Sequence, residues 1–102
     1  MIPEIAERRP ELEALCRRFG VRRLDVFGSA ATGAFRPDES DLDLLVEFEG
    51  PAGVGAADRY FGLLESLEHL FGRPVDLVVA SAIKNPYFRE SVERTKALLY
   101  AA

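Results

Sequence analysis

The chain has 102 residues, of which 48% are hydrophobic, and its formal net charge at pH 7 is −4. This length predicts a single domain over residues 1–102, with enough apolar side chains for one core. The negative charge argues against direct binding of nucleic acid, which usually requires a basic surface. No apolar run approaches the ~20 residues of a membrane span, so we expect no membrane association. A single cysteine, Cys16, cannot form an internal disulfide, and we expect it to be buried in a cytoplasmic protein.

The first half of the chain alternates between helix and strand patterns. Apolar residues at helical spacing predict a helix over Pro3–Phe19, or one that begins near Arg9, because Pro10 suits only a first turn. Gly20 ends this helix. The segments that follow are predicted to be a strand over Val21–Phe27, a short helix over Ser29–Gly33, a loop over Ala34–Ser40 and a strand over Asp41–Phe48.

The second half repeats the alternation. A glycine-rich connection over Gly50–Gly55 leads into a helix over Ala56–Phe71 and a strand over Val75–Val79. A last helix is predicted within Ala82–Tyr100, from Pro86 onward, because the residue before a proline disfavours helix. One face of that helix would carry Phe88, Val92, Thr95 and Leu99. This order of elements predicts an α+β (α/β-like) fold, with a small sheet covered by helices.

Two aspartates stand two residues apart in the second predicted strand. Because side chains alternate between the faces of a strand, we expect Asp41 and Asp43 on the same face, about 7 Å apart. Neighbouring carboxylates repel each other, and a divalent cation between them removes that repulsion. Mg²⁺ prefers oxygen ligands and usually joins one or two carboxylates to substrate phosphates. The pair therefore indicates metal-assisted chemistry on a nucleoside triphosphate, although an exposed acidic strand face has the same pattern.

Two further features strengthen this interpretation. In the turn after the first strand, Gly28 allows a phosphate to approach the backbone, and Ser29 either caps the next helix or binds a phosphate oxygen. Alone, the same two residues are far more typical of an ordinary turn with a helix cap than of a phosphate site. Asp76 lies within the third strand, where a lone acid is also common. Ser40, directly before the aspartate pair, either caps a turn or contacts phosphate.

Two segments resemble a known family. FGSAATG at Phe27–Gly33 and SDLDLLV at Ser40–Val46 are similar to the nucleotidyltransferase signature of the DNA polymerase beta superfamily. The chain is most similar to the minimal nucleotidyltransferases, or MNT-type antitoxins, from about Val21 to Tyr100. The resemblance implies the nucleotidyltransferase fold, a small mixed β-sheet flanked by helices with the acids on one face. One residue more than is usual separates the two segments, and it falls in the loop Ala34–Ser40, which can absorb it.

The resemblance also implies the chemistry. A nucleotidyltransferase moves NMP from a nucleoside triphosphate, here ATP, to an acceptor and releases pyrophosphate. Asp41 and Asp43 would then hold two Mg²⁺ ions, or Mn²⁺ in their place. Asp76 would complete the second metal site and accept the proton of the acceptor. The residues implied to bind the nucleotide are Gly28, Ser29 and Ser40.

Similar proteins act on a partner. They are antitoxins of HEPN-domain ribonuclease toxins. They transfer AMP from ATP to a tyrosine of the toxin. Larger members of the superfamily carry an extra domain that binds the acceptor, and we expect this chain to have no room for one. Two alternatives remain at this stage: a catalytically silent nucleotide- or protein-binding module, and a small-molecule nucleotidyltransferase. The second would need another surface for its acceptor, which a homodimer could supply.

Overall fold

A computed structural model describes residues 3–32, 41–50 and 53–102. The predictions for Gly33, for the loop Ala34–Ser40 and for the role of Ser40 lie outside these ranges. The described residues form five α-helices, four strands and a 3₁₀ turn over Ala80–Ala82. The elements in chain order are α1 (Pro3–Glu7), α2 (Arg9–Arg18), β1 (Val21–Phe27), α3 (Ser29–Thr32), β2 (Leu42–Phe48), α4 (Ala56–Phe71), β3 (Val75–Val79), α5 (Pro86–Thr95) and β4 (Ala97–Ala101).

The four strands form one mixed sheet in the order β3-β2-β1-β4. β1 lies antiparallel to both β2 and β4, whereas β2 and β3 are parallel. A parallel pair needs a long crossover, and the 16-residue helix α4 supplies it. This architecture confirms the predicted α+β fold class, with a small mixed sheet flanked by helices.

The two faces of the sheet are packed differently. One face meets α1, α2 and α4 in the main core, where alternate strand residues such as Leu24, Leu44 and Leu77 are buried. The opposite face carries a smaller apolar cluster, to which α5 contributes only one buried residue, Val92. The other members of that cluster of buried residues are Phe27, Leu45 and Ile83.

The N-terminal helix is divided. Instead of one helix over Pro3–Phe19, α1 and α2 are separated at Arg8. Pro10 lies in the first turn of α2, where its missing N–H group breaks no helical hydrogen bond. The alternative start near Arg9 is therefore confirmed, and the continuous helix is wrong.

The C-terminal segment contains a strand that the helical pattern hid. The predicted helix from Pro86 to Tyr100 ends at Thr95, because Lys96 takes an extended conformation with φ −63° and ψ 144°. Residues Ala97–Ala101 then pair with β1, and Leu99 is buried in the main core from a strand. Without this strand, β1 would be the sheet edge, with a row of unpaired N–H and C=O groups.

The other predicted elements are confirmed, with small differences at their ends. Val21–Phe27, Ala56–Phe71 and Val75–Val79 have the predicted bounds. The second strand begins at Leu42 rather than Asp41, and the short helix is described as far as Thr32. The predicted burial of Cys16 is also confirmed, and burial raises the pKa of its thiol to about 12. Among the helices described, none is both long and apolar enough for a membrane span.

A charged side chain is buried on the face of the sheet that α5 covers. Asp25 on β1 is only 1% exposed, and Arg23 holds both of its carboxylate oxygens: Nε donates to Oδ2 at 3.0 Å and Nη2 to Oδ1 at 3.2 Å. The Arg23 side chain, in contrast, is 40% exposed. The two partners would therefore respond differently to loss of the pair, since Arg23 can turn into water and Asp25 cannot.

We expect Arg23→Met to destabilise the fold by about 3 kcal/mol, because it leaves a buried carboxylate without its counter-charge. Asp25→Asn should cost about 1 kcal/mol, since the amide oxygen still accepts one hydrogen bond and Arg23 becomes hydrated. Urea unfolding of both variants measures the two costs. Equal losses, or a larger loss for Asp25→Asn, would show that burial of Asp25 does not depend on Arg23.

Candidate active site

Two aspartates lie side by side at one end of the sheet, where β1 ends and β2 and β3 begin. Asp43 on β2 is the direct neighbour of Asp76 on β3 and of Phe27 on β1. Adjacent strands are about 4.8 Å apart, so the row brings the two carboxylates close together. Asp43 and Asp76 alternate along their strands with residues of the main core, such as Leu42 and Leu77. The two aspartates therefore lie on the face of the sheet opposite the main core.

Asp43 is at the centre of this negative charge. It is half-buried, whereas Asp76 and Asp41 are exposed. Burial raises the pKa of Asp43, and the negative charges of Asp76 and then Asp41 raise it further. Asp41 lies one residue before β2 rather than within it, so its place on the shared face stays a prediction. Such crowding of like charges is relieved by a cation or by a proton.

Gly28 makes room for the Asp43 carboxylate. A Cβ atom at this position would lie 2.7 Å from Asp43 Oδ2, far inside contact distance. The backbone also has φ +68°, a conformation that strongly favours glycine. The sequence pattern assigned Gly28 to phosphate binding; the structure shows that it also admits the side chain of an acid from the neighbouring strand.

The turn continues directly into α3. The carbonyl oxygen of Gly28 accepts hydrogen bonds from the N–H groups of Ala31 at 3.1 Å and Thr32 at 3.2 Å. Ser29 is the first residue of this helix and is half-buried. The predicted nucleotide-binding residues Gly28 and Ser29 thus lie at the same end of the sheet as Asp43, while Ser40 is outside the described residues.

The strand that carries Asp76 is fixed from its free edge by α4. The Tyr60 hydroxyl donates to the carbonyl oxygen of Leu77, and Glu68 Oε2 accepts from the N–H of Val75 at 3.0 Å. These residues flank Asp76 on either side. Burial and, to a lesser extent, the charge of Asp76 raise the pKa of Tyr60. The position of Asp76 therefore depends on two side chains that the sequence pattern did not single out.

A cavity of about 580 Å³ lies at the other end of the sheet. Its lining includes Arg22, Glu47 and Arg89, two of which already form an ion pair: Arg22 Nη2 is 3.1 Å from Glu47 Oε1. Among the described residues of the predicted site, which are Gly28, Ser29, Asp41, Asp43 and Asp76, none lines it. The row of acids and this cavity are therefore two separate features of the surface.

The comparisons with known proteins decide the family. The sequence model of the nucleotidyltransferase domain matches residues 11–99. The chain belongs to the nucleotidyltransferase domain family. Protein adenylyltransferase MntA of Thermococcus cleftensis is 44% identical over 71 residues, which is 70% of this chain and 68% of MntA. The resemblance found in the sequence, to minimal nucleotidyltransferases, is confirmed.

One solved structure supports the same family, and a second shares the fold. A structure described as a candidate minimal nucleotidyltransferase is 39% identical, with a TM-score of 0.74, and the match covers 90% of this chain and 89% of that one. A complex of a tri-AMPylated Shewanella oneidensis HEPN toxin with an MNT antitoxin shares the fold at 16% identity, with a TM-score of 0.66. That match covers 96% of this chain and 73% of the other.

The acids of this nucleotidyltransferase fit a magnesium ion by donor type. Within residues 3–32, 41–50 and 53–102, no three acidic, histidine or cysteine side chains form a ready metal-binding group. Mg²⁺ does not need such a group, because it usually takes one or two carboxylates and completes its shell with water and substrate phosphates. The half-buried Asp43, crowded by a second carboxylate, has the oxygen donors and the unrelieved repulsion that suit this ion.

The contact between Gly28 and Asp43 in this nucleotidyltransferase can be isolated by a double-mutant cycle. Gly28→Ala should cost about 2–4 kcal/mol of folding stability, from the left-handed backbone and from the clash with the carboxylate. Gly72→Ala is the matched control, because Gly72 has φ +64° but, among the described residues other than its two chain neighbours, no atom lies within 4 Å of the place that a Cβ would occupy. We expect it to cost about 1 kcal/mol.

The same cycle separates the clash from the backbone strain. In an Asp43→Ala background, the cost of Gly28→Ala should fall toward that of Gly72→Ala, because the carboxylate is gone. Chemical unfolding of the five proteins gives the coupling energy. An unchanged cost of Gly28→Ala in that background would mean that the carboxylate does not constrain residue 28.

Proposed function

We propose that the chain is one metal-dependent nucleotidyltransferase domain that transfers AMP from ATP to a tyrosine of a HEPN-domain toxin partner. The observation that carries this proposal is the half-buried Asp43, packed against Gly28 and paired in register with Asp76. The names of the relatives support the acceptor class: MntA is a protein adenylyltransferase, and an MNT antitoxin with this fold is bound to a tri-AMPylated HEPN toxin.

The acids and the turn have separate roles in this proposal. Asp41 and Asp43 would hold Mg²⁺, Asp76 would complete the site of a second ion, and Mn²⁺ could take the place of Mg²⁺. Bound Mg²⁺ supplies positive charge beside the triphosphate and the departing pyrophosphate. Gly28 lets the phosphates approach the backbone, and Ser29 and Ser40 orient them. Because the Asp43 carboxylate lies against Gly28 and beside Asp76 in the sheet register, it is in place before the substrate binds.

The transfer itself is a substitution at the α-phosphorus. The tyrosine oxygen of the acceptor forms a bond to this phosphorus, and the bond to the bridging oxygen of the pyrophosphate breaks. The acceptor proton passes to Asp76, which is exposed and can be reached from solvent. The products are an AMP ester of tyrosine and pyrophosphate, so that atoms and charge balance without a further reactant.

Transfer to the partner is tested by co-expression with a HEPN-domain protein from the same genome, followed by intact mass spectrometry. We expect AMP adducts on the partner, and their loss with the Asp41→Asn, Asp43→Asn double variant, because neutral amides lack the charge that a hard cation needs. The charge-matched control is Asp58→Asn with Glu65→Gln, two exposed positions of α4, and it should keep the adducts.

The other outcomes of this experiment identify the alternatives. A stable complex with an unmodified partner would overturn enzymatic transfer and indicate a silent binding module. An unmodified partner together with modification of a small molecule, or with tailing of free RNA, would move the chain to another branch of the superfamily.

Asp76→Asn should reduce transfer more than nucleotide binding, because its proposed role is at the acceptor and the second metal rather than at the triphosphate. We expect about 100-fold slower single-turnover transfer, within the range of general base catalysis, and an ATP affinity within about threefold of wild type. Calorimetric titration with ATP and Mn²⁺ measures the affinity. An equal loss in both quantities would make Asp76 a binding or folding residue instead.

A further inference from the structure

The glycine turn of the site is held by a side chain from the end of α5. The backbone N–H of Gly28 donates to Thr95 Oγ1 at 3.2 Å, although 67 residues separate them in sequence. The same hydroxyl donates its own proton to the carbonyl oxygen of Ser91, at 3.1 Å. A hydroxyl has one donor and two acceptor positions, so both bonds form together.

The position of Thr95 follows from the sheet register. Asp25 pairs with Leu98 and Val26 with Ala97, so each step forward along β1 is a step back along the C-terminal segment. Two more steps place Thr95 opposite Gly28. At that point the chain is still in the last turn of α5, and the strand begins only at Ala97. The Thr95 hydroxyl, two residues before β4 begins, thus accepts a hydrogen bond from the residue that follows β1.

This contact determines which groups of the turn are free. Gly28 is restrained on one side by the hydrogen bond to Thr95 and on the other by the Asp43 carboxylate, 2.7 Å from where a Cβ would be. Its N–H group already has an acceptor and is not available to a phosphate. Of the two residues in the turn, the one whose groups can meet the nucleotide directly is Ser29.

We infer that Thr95 is a positioning residue, which fixes the Gly28-Ser29 turn against Asp43 and leaves phosphate contact to Ser29. The inference rests on the proposed function for its kinetic consequence, but its structural part does not. Loss of the hydroxyl frees the N–H of Gly28 and lets the turn move relative to Asp43. A displaced turn should slow the transfer step more than it weakens ATP binding, because alignment of the reacting atoms is sensitive to small shifts.

The test compares Thr95→Val, which keeps the branched shape without the hydroxyl, with Thr95→Ser, which keeps the hydroxyl. The first measurement is hydrogen exchange of the Gly28 amide by NMR in the protein without nucleotide, corrected for global stability by urea unfolding. We expect about tenfold faster exchange in Thr95→Val, the equivalent of one lost neutral hydrogen bond, and nearly wild-type exchange in Thr95→Ser. Equal protection of Gly28 in Thr95→Val and wild type would overturn the inference.

The second measurement is steady-state AMP transfer to the HEPN partner. Thr95→Val should lower kcat about tenfold with little change in KM for ATP, and Thr95→Ser should restore most of it. A loss of kcat that is the same in both variants would refute a positioning role for the hydroxyl. Absence of transfer by the wild-type protein would refute the proposed function instead, while the exchange data still decide whether Thr95 holds the turn.

Discussion

The packing of the Asp43 carboxylate against Gly28 is the contact on which the arrangement of the site depends. It requires a residue without a side chain at the end of β1, in a left-handed conformation, and it half-buries a negative charge beside Asp76. The half-burial of the charge opposes folding, because the carboxylate loses hydration and faces a like charge. The core on the far side of the sheet offsets this cost, and a bound cation would relieve the repulsion between the two carboxylates.

Much of this arrangement could be predicted from the sequence, because it depends on the order of neighbouring residues. The alternation of Asp41, Leu42, Asp43 and Leu44 indicates a strand with acids on one face, and Gly28-Ser29 indicates a turn, whatever surrounds them. The strand β4 could not be predicted in the same way, because Leu99 fits the helical spacing of Val92 and Thr95. Its strand conformation depends on pairing with β1, a contact between distant parts of the chain. The anchoring of Asp76 by Tyr60 and Glu68 is also a tertiary contact, invisible to spacing.

The face of the sheet that carries the acids is only lightly covered. In α5, Val92 is buried, whereas Tyr87 and Phe88 are exposed. The ring of Phe88 contacts that of Phe27 edge-on, at an angle of 76°. This helix is instead held by directed bonds near its two ends, from Arg89 to the carbonyl oxygen of Ile83 and from Gly28 to Thr95. Such a light cover leaves Asp76 exposed, as the proposed transfer to a protein acceptor requires.

We propose that metal and triphosphate meet at the row formed by Asp43 and Asp76. Paramagnetic broadening of backbone amide signals by Mn²⁺, recorded with saturating ATP, tests it most directly because it locates the ion without requiring turnover. We expect the strongest broadening at Asp41, Asp43, Asp76 and the Gly28-Ser29 turn. In the Asp41→Asn, Asp43→Asn variant, we expect no more broadening than free Mn²⁺ causes. Strongest broadening around Glu47 and Arg89, at the opposite end of the sheet, would contradict it.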